Sequence, residues 1–261
     1  MSREIVPTIH YATVSRMLHA ARLRPHVWCA WKHTVWTDSA IQRALNILWV
    51  YERVEWLWQK GIVVLAVDEK PSLQVLERAA PTVPMRPGMS ERRAFDYIRH
   101  GTVNLLTSLT LHTGHMGLAC LERNDGAHFR PALQHLIQPY AWAKHIWLIL
   151  DNGPSHTSAQ TRHFLAHLAY PAQRVRVLFT PPGASWLNLA ESLLQAFSTR
   201  YLVRGDWPSR SAMIDHLVAA QHEYNHLFAH PFAWRWTRQH FRIWLAGTPG
   251  LIRCSTSATD H

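Results

Sequence analysis

The chain has 261 residues, which is enough for one large domain with a small appendage or for two small domains. Apolar residues make up 48% of the sequence and charged residues 17%, a balance that excludes a disordered or tail-like chain. The three cysteines are widely scattered, which excludes a disulfide scaffold and fits a reducing cytoplasm. The longest apolar runs are far shorter than a bilayer span, so no membrane partner is expected.

Charge gives the first positive indication of function. The formal net charge is +10, and only four of the 27 basic residues are lysines. Arginine is favoured where a planar group must bind phosphate oxygens, and a basic excess favours a polyanionic partner. The charge therefore indicates a nucleic-acid partner, while a basic protein from a genome rich in arginine codons is the alternative.

Hydrophobic periodicity predicts helices over Thr8–Leu23 and from Asp38 to about Lys60. The run Ile62–Val67 predicts a buried strand ending at Asp68, and the proline-rich stretch 69–100 predicts irregular structure. The later predicted elements are strands 102–111 and 117–122, helix 127–138, strand 145–150, helix 157–169, strand 174–179, and helices 186–203 and 209–228. This order predicts an α/β fold, a mixed β-sheet flanked by helices, preceded by a short all-α N-terminal segment.

Carboxylates at the ends of buried strands are the strongest candidates for chemistry. The runs VVLAVD and IWLILD end in Asp68 and Asp151, and Glu191 lies about one turn into the helix that follows a Pro-Pro-Gly break. Carboxylate oxygens are the ligands that Mg²⁺ prefers. The alternative for each aspartate is that it caps the turn or helix that follows. Glu69 is expected on the opposite side of its strand from Asp68 and is excluded from this set.

Five phrases in order carry a resemblance to a known family: VVLAVDEKPSLQVLER (63–78), PGMSERRAFDYIRHGTVNLL (87–106), WLILDNGPSHTS (147–158), LFTPPGASWLNLAES (178–192) and EYNHLFAHPFAWRWT (223–237). With them the chain resembles the DDE transposases of the mariner superfamily, in particular the bacterial insertion-sequence branch. The resemblance implies an RNase H-like catalytic domain and a DDE-type polynucleotidyl transferase or endonuclease. It also implies that Asp68, Asp151 and Glu191 form the catalytic triad and bind two Mg²⁺ ions, with Mn²⁺ as a substitute.

The family's activity would be transposition, that is, DNA cleavage at transposon ends followed by strand transfer into new DNA. The implied partner is double-stranded DNA, with terminal inverted repeats as substrate and a TA-type target. A homodimer is a further expectation, and the tryptophan-rich helix 39–60 is a candidate for its contact. The expected location is the bacterial cytoplasm, with association to the nucleoid when the protein is bound to DNA.

Several other positions are expected to support this site or to contact DNA. Lys70 could contact phosphate or balance nearby acids, and Asn152 and His156 could orient the metal ligands or the scissile strand. Asn188 is expected to shape the turn before Glu191 rather than to bind metal. The candidate DNA contacts are Arg16, Arg22, Arg24, Arg99 and His100.

The domain prediction divides the chain into a remnant of a helix-turn-helix region (1–30), a linker helix (31–61), the catalytic domain (62–246) and a flexible tail (247–261). The short N-terminal region motivates an alternative function, a truncated and catalytically silent DNA-binding remnant. A stand-alone RNase H-like nuclease is a third possibility. The phrase His222-Glu223-Tyr224-Asn225-His226 matches a zinc-protease motif, but a suitable third ligand does not follow it, so this function is rejected.

Overall fold

A five-stranded sheet organises the larger of the two units into which the chain divides, Met1–His33 and Thr34–His261. The computed structural model describes residues 9–22, 35–166, 168, 174–203, 205–231 and 233–247. The elements are α1 (Tyr11–Ala20), α2 (Asp38–Tyr51), α3 (Val54–Gln59), β1 (Ile62–Arg78), β2 (Tyr97–Thr110), β3 (Met116–Leu121), α4 (Gly126–Ile137), β4 (His145–Leu150), α5 (Pro154–Thr157), α6 (Ala159–Ala166), β5 (Arg174–Phe179), α7 (Leu189–Tyr201), α8 (Arg210–Leu227) and α9 (Arg238–Ala246).

The strand order is β3-β2-β1-β4-β5. β1 pairs with β2, and β2 with β3, in antiparallel fashion, whereas β1, β4 and β5 run parallel to one another. The predicted mixed sheet flanked by helices is therefore confirmed. Because β1, β4 and β5 are parallel, their carboxyl ends meet at one edge of the sheet, where ligands bind in open α/β sheets.

Of the stretch 69–100, which was predicted to be irregular, residues 79–96 lie outside the strands, whereas the residues on either side extend the first two strands. β1 continues through Arg78 and β2 begins at Tyr97, so the two form a long antiparallel ribbon. A register shift between Lys70 and Leu73 accommodates Pro71, which has no N–H to donate. For residues 69–78 the prediction was wrong, because proline at such a bulge does not end a strand.

The predicted helix 38–60 is broken into α2 and α3 at Glu52 and Arg53. Glu52 accepts hydrogen bonds from the backbone N–H of Arg238 at 2.6 Å and from the Arg238 Nε at 2.9 Å. Arg238 is the first residue of α9, a helix that sequence periodicity did not predict. The break therefore positions a carboxylate that holds the N-terminus of the last described helix.

Two apolar clusters cover the two faces of the sheet. Along β1, Val64 and Ala66 belong to the cluster that includes residues of α2, α7, α8 and α9, whereas Val63, Leu65 and Val67 belong to the cluster formed with α4 and α6. This alternation is the period of two that a strand buried on both faces requires.

The segment predicted as a linker helix, 31–61, is part of the core in its described portion. Ala44, Ile47 and Leu48 of α2 are at most 1% exposed and pack in the same cluster as β1. The larger unit accordingly begins at Thr34 rather than at residue 62. None of the described helices is long and apolar enough to cross a membrane.

In the smaller unit, α1 is shorter than the predicted helix and begins after His10, whose side chain accepts from the Ala12 N–H. Arg16 lies on the exposed surface of α1, and Arg22 follows it with a positive φ of 54°. Arg24 and the predicted tail from residue 248 onward lie outside the described residues.

Candidate active site

The register of two parallel strands places the first two candidate carboxylates side by side. Ala66 of β1 pairs with Ile149 of β4. Two residues further along each strand come Asp68 and Asp151, so they leave neighbouring strands at the same level of the sheet. β4 ends at Leu150, while β1 continues into the ribbon.

The start of α7 brings the third carboxylate to this edge. Asn188 is 1% exposed; its Oδ1 accepts from the Ala190 N–H at 3.2 Å, and its Nδ2 donates to the Val67 carbonyl at 2.8 Å. The helix start is thus attached to β1 one residue before Asp68, and Glu191 lies in the first turn. The predicted start near residue 186 is corrected, because residues 185–187 form a 3₁₀ turn.

The pKa of Asp68 reflects electrostatic repulsion from the other two carboxylates. Burial, together with repulsion from Asp151 and Glu191, raises the pKa of Asp68 to about 6. A hydrogen bond from the Glu69 N–H, at 2.9 Å, partly offsets this effect. Ionised Asp68 is therefore disfavoured where it stands, and a cation at this edge would relieve the repulsion.

The donors at this edge suit a hard divalent cation, because all three side chains offer carboxylate oxygens. Across the described parts of the chain, His, Cys, Asp and Glu side chains do not form a group of three or more that is already arranged around a metal position. The donor type and the negative charge of the three side chains therefore suit Mg²⁺. Their role as metal ligands stays a prediction.

His156 links two carboxylates across the sheet. Its Nδ1 lies 2.7 Å from Asp151 Oδ1 and its Nε2 lies 3.1 Å from Glu69 Oε1. Burial opposes the charged imidazolium, yet the hydrogen bonds to Asp151 and Glu69 raise the pKa of His156 to about 9. Glu69 lies on the opposite side of β1 from Asp68, as alternation predicts, but its contact with His156 was not anticipated.

Asn152 connects three elements next to Asp151. Its Nδ2 donates to the Thr180 carbonyl beyond β5, and its Oδ1 accepts from Arg43 of α2 at 3.1 Å. Arg43 was missed in the sequence because its position depends on how α2 packs beside the sheet. Lys70 is two residues beyond Asp68 on β1, so the two side chains share a face.

Two of the predicted DNA contacts, Arg99 and His100, lie on the ribbon and not beside the carboxylates. Arg99 is exposed on β2 and pairs with Leu76, eight residues along β1 from Asp68. His100 contacts Glu77 Oε2 at 2.7 Å. The structure therefore places Arg99 and His100 on the ribbon, and Arg16 and Arg22 belong to the smaller unit.

The residues of the zinc-protease phrase have structural contacts on α8. Glu223 accepts from the Tyr201 hydroxyl at 3.2 Å. Asn225 makes a two-way contact with Met116 of β3, accepting from its N–H at 2.7 Å and donating to its carbonyl at 2.9 Å. This segment joins α8 to the edge of the sheet.

Comparison with known proteins identifies the family. The sequence profile of the DDE superfamily endonucleases matches residues 64–214, a stretch that contains Asp68, Asp151 and Glu191. The chain belongs to this superfamily. A search of curated protein sequences finds no match.

Solved structures of a mariner transposase share the fold. The Mos1 transposase paired-end complex with the left transposon end matches at a TM-score of 0.58 and 17% identity, over 93% of this chain and 71% of that one. The Mos1 mariner paired-end complex with Mn matches at 0.56 and 18%, over 92% and 70%. The complex with Mg matches at 0.52 and 17%, over 92% and 71%. The RNase H-like fold of a mariner-type DDE transposase is thereby confirmed, and the bacterial branch stays a prediction.

Proposed function

We propose that this DDE catalytic domain cleaves DNA strands at transposon ends and transfers them to target DNA in a metal-dependent reaction. The observation that supports this most directly is the convergence of Asp68, Asp151 and Glu191. The β1–β4 register aligns the two aspartates, and the Asn188 contact with Val67 attaches the start of α7 beside them. Membership of the DDE superfamily agrees with this chemistry.

In this proposal Asp68, Asp151 and Glu191 hold two Mg²⁺ ions, with Mn²⁺ as a substitute. Bound there, the metal would activate an attacking hydroxyl and stabilise the leaving oxygen of a phosphodiester. The chain itself contributes the carboxylate oxygens and holds in place the elements that carry them. Asn188 fixes α7 against β1, and Asn152 fixes the end of β4 against β5 and α2.

The proposed partner is double-stranded DNA, in agreement with the net charge of +10. Mos1 transposase is seen in complex with a transposon end. By analogy we extend the proposal to terminal inverted repeats as substrate and a TA-type target. A homodimer, a bacterial host and a place on nucleoid DNA also belong to the proposal and come from the sequence resemblance.

The decisive experiment replaces each proposed ligand by its neutral isostere: Asp68→Asn, Asp151→Asn and Glu191→Gln. We expect each variant to lose at least about 100-fold in the rate of DNA strand cleavage with Mg²⁺, because each substitution removes a proposed ligand of the metal that would stabilise the transition state. Asp215→Asn, which removes an exposed carboxylate from α8, is the matched control and should cleave at the wild-type rate. Circular dichroism melts verify that the variants are folded.

Three outcomes would contradict the proposal. Cleavage at the wild-type rate by a variant that carries all three substitutions would show that these carboxylates do not carry the reaction. Wild-type protein that binds DNA ends without cutting them in Mg²⁺ or Mn²⁺ would favour the silent remnant. Cleavage of RNA–DNA hybrids without strand joining would instead favour a stand-alone nuclease.

A further inference from the structure

Glu69 is a largely covered carboxylate next to the proposed metal site, and the reaction proposed above does not use it. It follows Asp68 on β1, but its side chain lies on the other face of the strand, where it is 11% exposed. Its Oε1 accepts from the Ser155 hydroxyl at 3.1 Å and contacts His156 Nε2 at 3.1 Å. A buried carboxylate held by two donors on one short helix has a defined orientation.

His156 lies between Glu69 and Asp151 and contacts both. The imidazole is 2% exposed, and the Phe129 ring packs against it with the ring centroids 4.6 Å apart. Both ring nitrogens face carboxylates, which only accept, so both nitrogens donate. Asp151 Oδ1 thereby receives a hydrogen bond from His156 Nδ1 at 2.7 Å in addition to one from the Gly153 N–H at 2.9 Å.

We propose that Glu69 is a positioning residue for the metal site, which acts through His156 to fix the orientation of the Asp151 carboxylate. This inference rests on the proposed function, because it takes Asp151 to be a metal ligand. The relay Glu69–His156–Asp151 connects the far face of β1 to the end of β4 without passing through Asp68. Partners of metal ligands typically change metal affinity by about 10- to 100-fold when they are removed.

The test measures Mn²⁺ binding to protein freed of metal, by electron paramagnetic resonance of the unbound ion, in the absence of DNA. We expect Glu69→Ala to weaken Mn²⁺ binding by about 10- to 100-fold. Glu69→Gln should lie closer to wild type, because its amide oxygen still accepts from His156. In cleavage assays Glu69→Ala should lower kcat while KM for DNA stays unchanged, since Glu69 itself does not contact DNA in this proposal.

Glu77→Gln is the matched control for charge and strand. Glu77 also lies on β1 and also contacts a histidine, His100, at 2.7 Å, but it is eight residues further along the ribbon. Its substitution removes the same charge from the same strand and should leave Mn²⁺ affinity within about twofold of wild type, because charges this far apart are largely screened.

A second pair of variants tests whether the two residues act as one relay. In His156→Asn the side-chain amide replaces Nδ1 and keeps the contact with Asp151, but it cannot reach Glu69. If the relay holds, this variant weakens Mn²⁺ binding as Glu69→Ala does, and the double variant binds about as weakly as either single one, because both break the same chain of contacts.

Mn²⁺ affinities of Glu69→Ala and Glu69→Gln within twofold of wild type would overturn the proposal and leave Glu69 a packing role only. Should Glu69→Ala not fold, His156→Asn decides in the same way. Failure of the proposed function is recognised separately, by an Asp151→Asn variant that binds Mn²⁺ as tightly as wild type does.

Discussion

The raised pKa of Asp68 makes the free energy of unfolding depend on pH. Burial and the neighbouring Asp151 and Glu191 raise the pKa to about 6, from the ordinary value of 3.8. The folded state therefore holds this proton more tightly than the unfolded state. The contribution of Asp68 to the free energy of unfolding is fully present below pH 3.8 and decreases as the pH rises through about 6. Above that value a cation bound at the proposed site would offset the loss.

We therefore predict that Mg²⁺ stabilises the protein in a pH-dependent manner. Millimolar MgCl₂ should raise Tm at pH 7.5 and have little effect at pH 5, where Asp68 is mostly protonated and metal binding must displace that proton. Differential scanning fluorimetry at constant ionic strength measures both shifts. Asp68→Asn should abolish the Mg²⁺ effect at pH 7.5. Equal shifts at the two pH values would contradict the assignment of Asp68 as a ligand.

Some features of the candidate site could be predicted from the sequence and others could not, for a physical reason. Asp68 and Asp151 each end an apolar run, and period-two alternation already separates Glu69 from Asp68. The Asn188 side chain shapes the turn before Glu191, as predicted. The contact between Glu69 and His156 could not be predicted, because it depends on how a four-residue helix after β4 turns its side chains toward β1.

At the scale of elements, local pattern located all five strands of the described sheet but not the full length of the first two. β4 and β5 were predicted with the bounds that they have, because β4 is a short apolar run and β5 carries a β-branched or other apolar residue at four of its six positions. The ribbon formed by the later part of β1 and the start of β2 was missed, because each strand there has a single partner and many of its side chains are exposed. Pairing, rather than composition, defines that segment.

The turn that joins β2 to β3 allows a sharp test of packing between elements. Gly114 has a positive φ of 74°, and a Cβ there would lie 2.0 Å from the His230 carbonyl oxygen. We predict that Gly114→Ala lowers the free energy of unfolding by clearly more than the roughly 1–2 kcal/mol that the left-handed backbone conformation alone costs a residue with a Cβ. Urea denaturation gives the measurement.

Gly101→Ala is the control for this prediction. Gly101 also has a positive φ, of 89°, but a Cβ there would meet nothing within 4 Å. Gly101→Ala should therefore lower the free energy of unfolding only by the cost of the left-handed backbone conformation. Equal destabilisation by the two substitutions would mean that the segment around His230 does not pack against the turn.

At the scale of the whole molecule, the strand order separates the sheet into two working parts. The three parallel strands β1, β4 and β5 bring their carboxyl ends to one edge, where the candidate carboxylates lie. The antiparallel strands β2 and β3 extend the other side and support α4 and α8. The sequence predicted this division from the order of its elements, but it could not place Arg99 and His100 on the ribbon, because the length of β1 was underestimated.

The net charge of +10 predicts how DNA binding responds to salt. If arginines dock on phosphates, the logarithm of the association constant falls linearly with the logarithm of salt concentration, with about 0.9 in slope for each contact. Between 50 and 200 mM salt, six to ten contacts would cost about 10³- to 10⁵-fold in affinity. Fluorescence anisotropy with a labelled duplex measures the slope, and Arg99→Ala should reduce it by about one unit. An affinity for DNA that stays constant over this range would show that arginine–phosphate contacts do not carry the binding.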